Sequence, residues 1–187
     1  MQPPLNLPNL LTLARIGTIP LVVLCFALPF SWGRPVAAAL FLTSSVTDWL
    51  DGYLARRLDQ TSQFGRFLDP VADKLLVAAA VVLLVQGDPR IYVTVPAIII
   101  IGREITVSAL REWMAEMGES GRVAVSRLGK FKTTAQMIAI TLMLYQHPIA
   151  GLPVYWLGLA CFYGAVALTL WSMAQYLRAA WPSLIKA

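Results

Sequence analysis

Six stretches of this chain are apolar over about the length that crosses a bilayer. They cover residues 10–30, 35–57, 69–85, 91–111, 131–145 and 154–176. A helix needs about 20 such residues to pass the hydrocarbon layer. With 58% of residues apolar and 13% charged, the balance departs far from the roughly one quarter charged that soluble domains carry. The expectation is an all-α integral membrane protein with six transmembrane helices, folded as a single domain over residues 1–187. A secretory signal peptide is the competing reading of the first run. That run is too long for one, and no small-residue cleavage site follows Phe30. The preceding nine residues carry three prolines and no charge, and are expected to hold a short interfacial segment.

Charge sets the orientation. Six spans put both termini, the second-to-third loop and the fourth-to-fifth loop on one side. Of the 15 lysines and arginines, all but Arg34 and Arg90 fall on that side. The positive-inside bias therefore makes the N- and C-termini cytoplasmic. The net charge of +5 points to anionic lipid headgroups and phosphorylated substrates. It does not point to nucleic acid, because no basic face is interleaved with aromatics. Cys25 and Cys161 lie inside apolar runs and read as small buried hydrophobes. His147, in an uncharged loop, reads as structural or exposed. Tyr155, Trp156, Trp171, Tyr176 and Trp181 flank the last run, either as an interfacial aromatic belt or as packing between helices. No internal repeat is visible, and residues 118–121 form a polar turn signal.

Five of the ten acidic residues fall within residues 48–73, four of them in two close pairs. Asp48 and Asp51 are three apart, and Asp69 and Asp73 four apart. Either spacing puts a pair on one helix face. Two such helix ends facing each other make a four-carboxylate cup, whose oxygen-only ligands suit Mg²⁺ or Mn²⁺ and not zinc. Four unpaired carboxylates at a bilayer edge would cost on the order of 10 kcal/mol. Divalent metal and water offset that cost. The plainer alternative is a set of solvated charges, with Asp69 capping a helix that begins at Pro70. Asp59, between the two pairs, reads as a solvated loop charge.

The full pattern is D-x2-D-G-x2-A-R-x8-G-x3-D-x3-D, from Asp48 to Asp73. It resembles the signature of the CDP-alcohol phosphatidyltransferase family, membrane enzymes that move a phosphatidyl group from a CDP-linked lipid onto an alcohol. The resemblance implies two divalent cations, Mg²⁺ or Mn²⁺, held by Asp48, Asp51 and Asp69 with Asp73 completing the shell. It further implies that Asp73 is the base that takes a proton from the attacking hydroxyl. Gly52 and Ala55 share a face with Asp48. They allow either helix–helix packing or the approach of a flat nucleotide, and the family implies the nucleotide. Arg56 would then reach the diphosphate, and Gly65 would let a loop pass close to the nucleotide.

Three further stretches, residues 6–15, 103–116 and 129–137, resemble the branch of that family formed by bacterial phosphatidylglycerophosphate synthases. That likeness implies CDP-diacylglycerol and sn-glycerol 3-phosphate as substrates, a homodimer, and a bacterial inner membrane with the active site facing the cytoplasm. A phosphorylated acceptor suits a cluster of cations. The candidates are Arg103 and Arg111, eight apart and close to one helical face, with Lys130 and Lys132. The alternative for these is positive-inside topology plus pairing with Glu104 and Glu112. Other readings are the same chemistry on a different alcohol, or a cation transporter using the intramembrane carboxylates. A transporter should show broken helices or inverted repeats, and neither is evident.

Overall fold

The apolar runs fold as helices, and most of the helices extend beyond the runs into polar sequence. The computed structural model describes residues 7–57, 63–118 and 127–184, excluding the side chains at 7–8, 49–57, 63, 66, 127–131 and 182–184. In chain order the elements are α1 (Leu7–Ala27), α2 (Gly33–Arg57), α3 (Gln63–Gly87), α4 (Ile91–Glu116), α5 (Arg127–Tyr145) and α6 (Val154–Leu184). No strand occurs among the described residues. A single backbone bridge pairs Ile149 with Leu152, around Ala150 and Gly151. Both of these have positive φ, as a type I′ turn requires.

Several expected boundaries move. Leu7 to Asn9, expected in an interfacial segment, belong to α1; residues 1–6 lie outside the described residues. Helix α3 begins at Gln63, so Pro70 lies inside it and Asp69 is not its N-cap. Proline gives up one helical hydrogen bond there. Membrane helices tolerate that loss where neighbouring groups compensate, and Pro20 and Pro96 also sit inside α1 and α4. Gly65 is consequently a buried helix residue and not part of a loop. Helix α4 ends where Gly118 turns to φ 73°, the left-handed exit that glycine permits. The remainder of the expected turn at 119–121, and Asp59, lie outside the described residues.

All six helices feed one core. Val22 and Phe26 come from α1, Phe41 from α2, Leu76, Val81 and Leu84 from α3, Ile100 from α4, Ile140 and Met143 from α5, and Phe162 from α6. Helices α5 and α6 approach closely at Gly158. A Cβ on Gly158 would stand 2.9 Å from Leu142 Cβ and 3.0 Å from Met143 N, so only glycine fits.

Among the described residues three helices are long and apolar enough to cross a membrane: α1, α4 and α6, with mean hydropathies of 2.1, 1.7 and 1.6. Only 22–39% of those apolar stretches is buried inside the protein. Apolar side chains such as Leu24, Ile98, Ile105 and Trp171 therefore face outward, where lipid and not water is the favourable solvent. Two exposed hydroxyls on these helices bond back into their own backbone. Thr18 donates to Ala14 O at 2.9 Å and Thr106 to Gly102 O at 2.8 Å, as side chains without outside partners do.

The same outward apolar solvent corrects the reading of the cysteines. Cys161 is exposed and Cys25 half-buried, because a lipid-facing position does not require a small hydrophobe to be internal. Trp156, Trp171 and Trp181 are exposed, which fits the belt, and Trp156 also packs between helices, its ring centroid 6.3 Å from that of Tyr92 on α4. Tyr176 instead packs on Met114 and Ala180. His147 is exposed, with Nδ1 2.9 Å from Tyr145 O.

Candidate active site

Helix α1 brings a short polar stripe to one end of the bundle. Asn9, Thr12 and Arg15 follow at three-residue steps, and all three are buried. Thr12 Oγ1 donates to Asp69 Oδ1 at 2.6 Å. Arg15 Nη1 donates to Asp48 Oδ1 at 2.6 Å and to Asp73 Oδ1 at 2.8 Å. Three carboxylates, one from α2 and two from α3, are thus each held through one oxygen by α1. The aspartate side chains of both ion pairs are over a third exposed, while Arg15 is 1% exposed. The carboxylates therefore open outward over a buried cation.

This gathers three of the four expected metal ligands. The side chain of Asp51, and those of Gly52, Ala55, Arg56 and Lys130, lie outside the described residues, although their backbones are helical. Among the described residues no three His, Cys, Asp or Glu side chains form a group that could hold a metal ion. Asp48 and Asp73 are turned onto Arg15, and Asp69 onto Thr12. The donor chemistry nonetheless fits a hard divalent cation. The set is carboxylate oxygen only, and among the described side chains its three carboxylates contact a single arginine.

A second polar cluster joins α4, α5 and α6. Glu104 Oε1 accepts from Arg103 Nη1 at 2.9 Å and from Lys132 Nζ at 3.3 Å. Arg103 Nη2 reaches Ser172 Oγ at 3.4 Å. Arg103 Nε is buried without a hydrogen-bond partner among the described residues. Lys132 is 2% exposed. A buried lysine and a mostly buried arginine thus share one carboxylate, a surplus of positive charge suited to an anion. Arg111 does not join them and is exposed. Eight residues advance a helix by about 80° beyond two full turns, so Arg103 turns inward and Arg111 outward. The pairing of Arg103 with Glu104 is the arrangement that the topological alternative foresaw.

Antiparallel packing puts both clusters toward the same end of the bundle. Two open clefts of about 550 and 610 Å³ lie at the other end, beside Arg34 and Asp88. The groups beside the second are mutually satisfied. Asp88 accepts from Arg90 Nε at 2.6 Å, Arg90 Nη2 at 2.7 Å, Tyr92 at 3.2 Å and Tyr155 at 2.5 Å. The candidate active site therefore rests on convergent carboxylates and not on concavity.

Fold and site together define a class: a helical integral membrane protein with a carboxylate centre at one end of its bundle. Residues 5–171 match the profile of CDP-alcohol phosphatidyltransferase, and the chain belongs to that family. It is 52% identical over 185 residues to the CDP-diacylglycerol–glycerol-3-phosphate 3-phosphatidyltransferase of Pseudomonas fluorescens, covering 96% of this chain and 92% of the relative. It is 53% identical over 175 residues to the protein of that name from Salmonella typhimurium, 94% of each. With the Shigella flexneri protein of the same name the identity is 53% over 180 residues, 96% of this chain and 97% of the relative.

Proposed function

We propose that this protein transfers the phosphatidyl group of CDP-diacylglycerol to sn-glycerol 3-phosphate, giving phosphatidylglycerophosphate and CMP. The observation that carries the reading is the convergence of Asp48, Asp69 and Asp73 from two helices onto Thr12 and Arg15. The names of the relatives supply the acceptor. In the transfer, the acceptor hydroxyl oxygen bonds to the lipid-linked phosphorus, and the phosphorus–oxygen bond to CMP breaks. The CMP oxygen keeps the electron pair. Asp73 accepts the hydroxyl proton on one of its two carboxylate oxygens. A base must lie within about 2.6–3.2 Å of the proton's oxygen, directly or through one water. Two divalent cations, Mg²⁺ or Mn²⁺, bound by Asp48, Asp51, Asp69 and Asp73, supply charge that stabilises the diphosphate and the departing CMP.

Gly52, Ala55, Arg56 and Gly65 line the path of the nucleotide. Arg103 and Lys132, spaced by Glu104, hold the acceptor phosphate, with Lys130 and Arg111 at its approach. All six helices cross the inner membrane of a bacterium, with both termini and the carboxylate end at the cytoplasmic face, and the protein works as a homodimer. Helices α2, α3 and α5 have 25, 25 and 19 residues, or about 28–38 Å at 1.5 Å per residue, which supports six crossings.

Purified protein supplied with CDP-diacylglycerol and Mn²⁺ or Mg²⁺ should release CMP when glycerol 3-phosphate is added and stop when EDTA is added. CMP release that ignores glycerol 3-phosphate would assign another acceptor. Full activity in EDTA would remove the metal reading.

A further inference from the structure

A single nitrogen, Arg15 Nη1, stands between carboxylates from two different helices, 2.6 Å from Asp48 Oδ1 and 2.8 Å from Asp73 Oδ1. Arg15 is the only charged residue of α1, and its side chain is 1% exposed against 38% and 39% for its two partners. Arginine stays charged at any accessible pH, and a buried charge is tolerated only when paired. This pairing also offsets part of the repulsion between the crowded carboxylates of α2 and α3. A divalent ion shared by the same two oxygens would bind each at about 2.0–2.1 Å. It would therefore need the space that Nη1 fills, and like charges cannot share it.

We infer that Arg15 is the resident counter-charge of the carboxylate centre, and that a divalent ion bound between Asp48 and Asp73 displaces its guanidinium. The arginine keeps the acidic cluster compensated while the protein folds and whenever metal is absent. It is then a competitor of the ion, not a supporter of it. This rests on the reading of Asp48 and Asp73 as metal ligands.

The test is a Mn²⁺ titration of the purified full-length protein, followed by the spectroscopic signal of the free ion, with no substrate present. Arg15→Gln removes the competing charge and should bind Mn²⁺ roughly tenfold or more tightly than the wild type, a scale set by one unit charge a few ångströms away. In EDTA the variant should unfold at a lower temperature than the wild type, and Mn²⁺ should close the gap. A variant that binds Mn²⁺ equally or more weakly overturns the displacement and makes Arg15 a support that orients the carboxylates for the ion. A wild type that binds no Mn²⁺ overturns the ligand reading, and this inference with it. If Arg15→Gln does not fold, the wild type decides. Phenylglyoxal modification at Arg15, mapped by mass spectrometry, should rise several-fold from EDTA to Mn²⁺. Unchanged or reduced modification overturns the inference.

Discussion

At Asp73 the two carboxylate oxygens have different surroundings. One accepts from Arg15 at 2.8 Å, and the side chain is partly exposed, so the other can face a substrate. A base acts in the transition state, so its loss should appear in kcat and not in ground-state binding. Asp73→Asn is therefore expected to lower kcat by at least ~100-fold, at the low end of general-base contributions. Its affinity for CDP-diacylglycerol, measured by direct binding, should change far less. An intact kcat with weakened binding would make Asp73 a binding residue. At this scale the aspartates were legible because helical spacing pairs them without any knowledge of the tertiary fold. Arg15 was not, because it counted only toward topology and as the end of the resembling stretch at residues 6–15, with no role at the site. The available signal was an arginine inside an apolar run, which marks a functional position by default, with Asn9 and Thr12 at three-residue steps before it.

The turn between α3 and α4 is tied to α6 by one side chain. Asp88 is 6% exposed, under a thin cover of Arg90, Tyr92 and Tyr155 at the bundle's end. Hydrogen bonds from Arg90, Tyr155 and Tyr92 hold its carboxyl well below the ordinary aspartate value of 3.8. A depressed value stabilises the fold fully above about pH 4, and that contribution is lost as pH falls further. Asp88→Asn is expected to destabilise by about 1–3 kcal/mol, the usual cost of disrupting a buried hydrogen-bonded group. It should also flatten the acid limb of a plot of thermal stability against pH. Equal acid limbs in wild type and variant would deny Asp88 this role. Sequence could not supply the cluster, because Tyr155 lies 67 residues from Asp88. Element edges were hard to read for a related reason. Hydropathy follows the apolar stretch alone, whereas α3 starts in the polar Gln63-Phe64-Gly65-Arg66 segment and α6 continues past Tyr176 to Leu184.

For the whole molecule, the order and number of helices were readable from six apolar runs, but which helices touch was not. Helix α1 packs on α2 and α3, α5 on α2 and α6, and α4 on α6. These choices depend on small residues such as Gly158 and on partners distant in sequence. Sidedness is open to direct measurement. In a background with Cys25 and Cys161 replaced by alanine, Ser31→Cys should react in intact cells with a membrane-impermeant thiol reagent. Met117→Cys should react only after the membrane is opened. The opposite pattern would invert the protein and put the carboxylates outside the cell. The distribution of the polar clusters also bears on synthesis. Every described contact to the three aspartates comes from α1, α2 and α3, so all the residues that make those contacts precede residue 88. The Glu104 cluster and the seal over Asp88 both wait for α6, the last helix translated. Chain order thus makes the residues of the acidic centre available for pairing before those that close the opposite end.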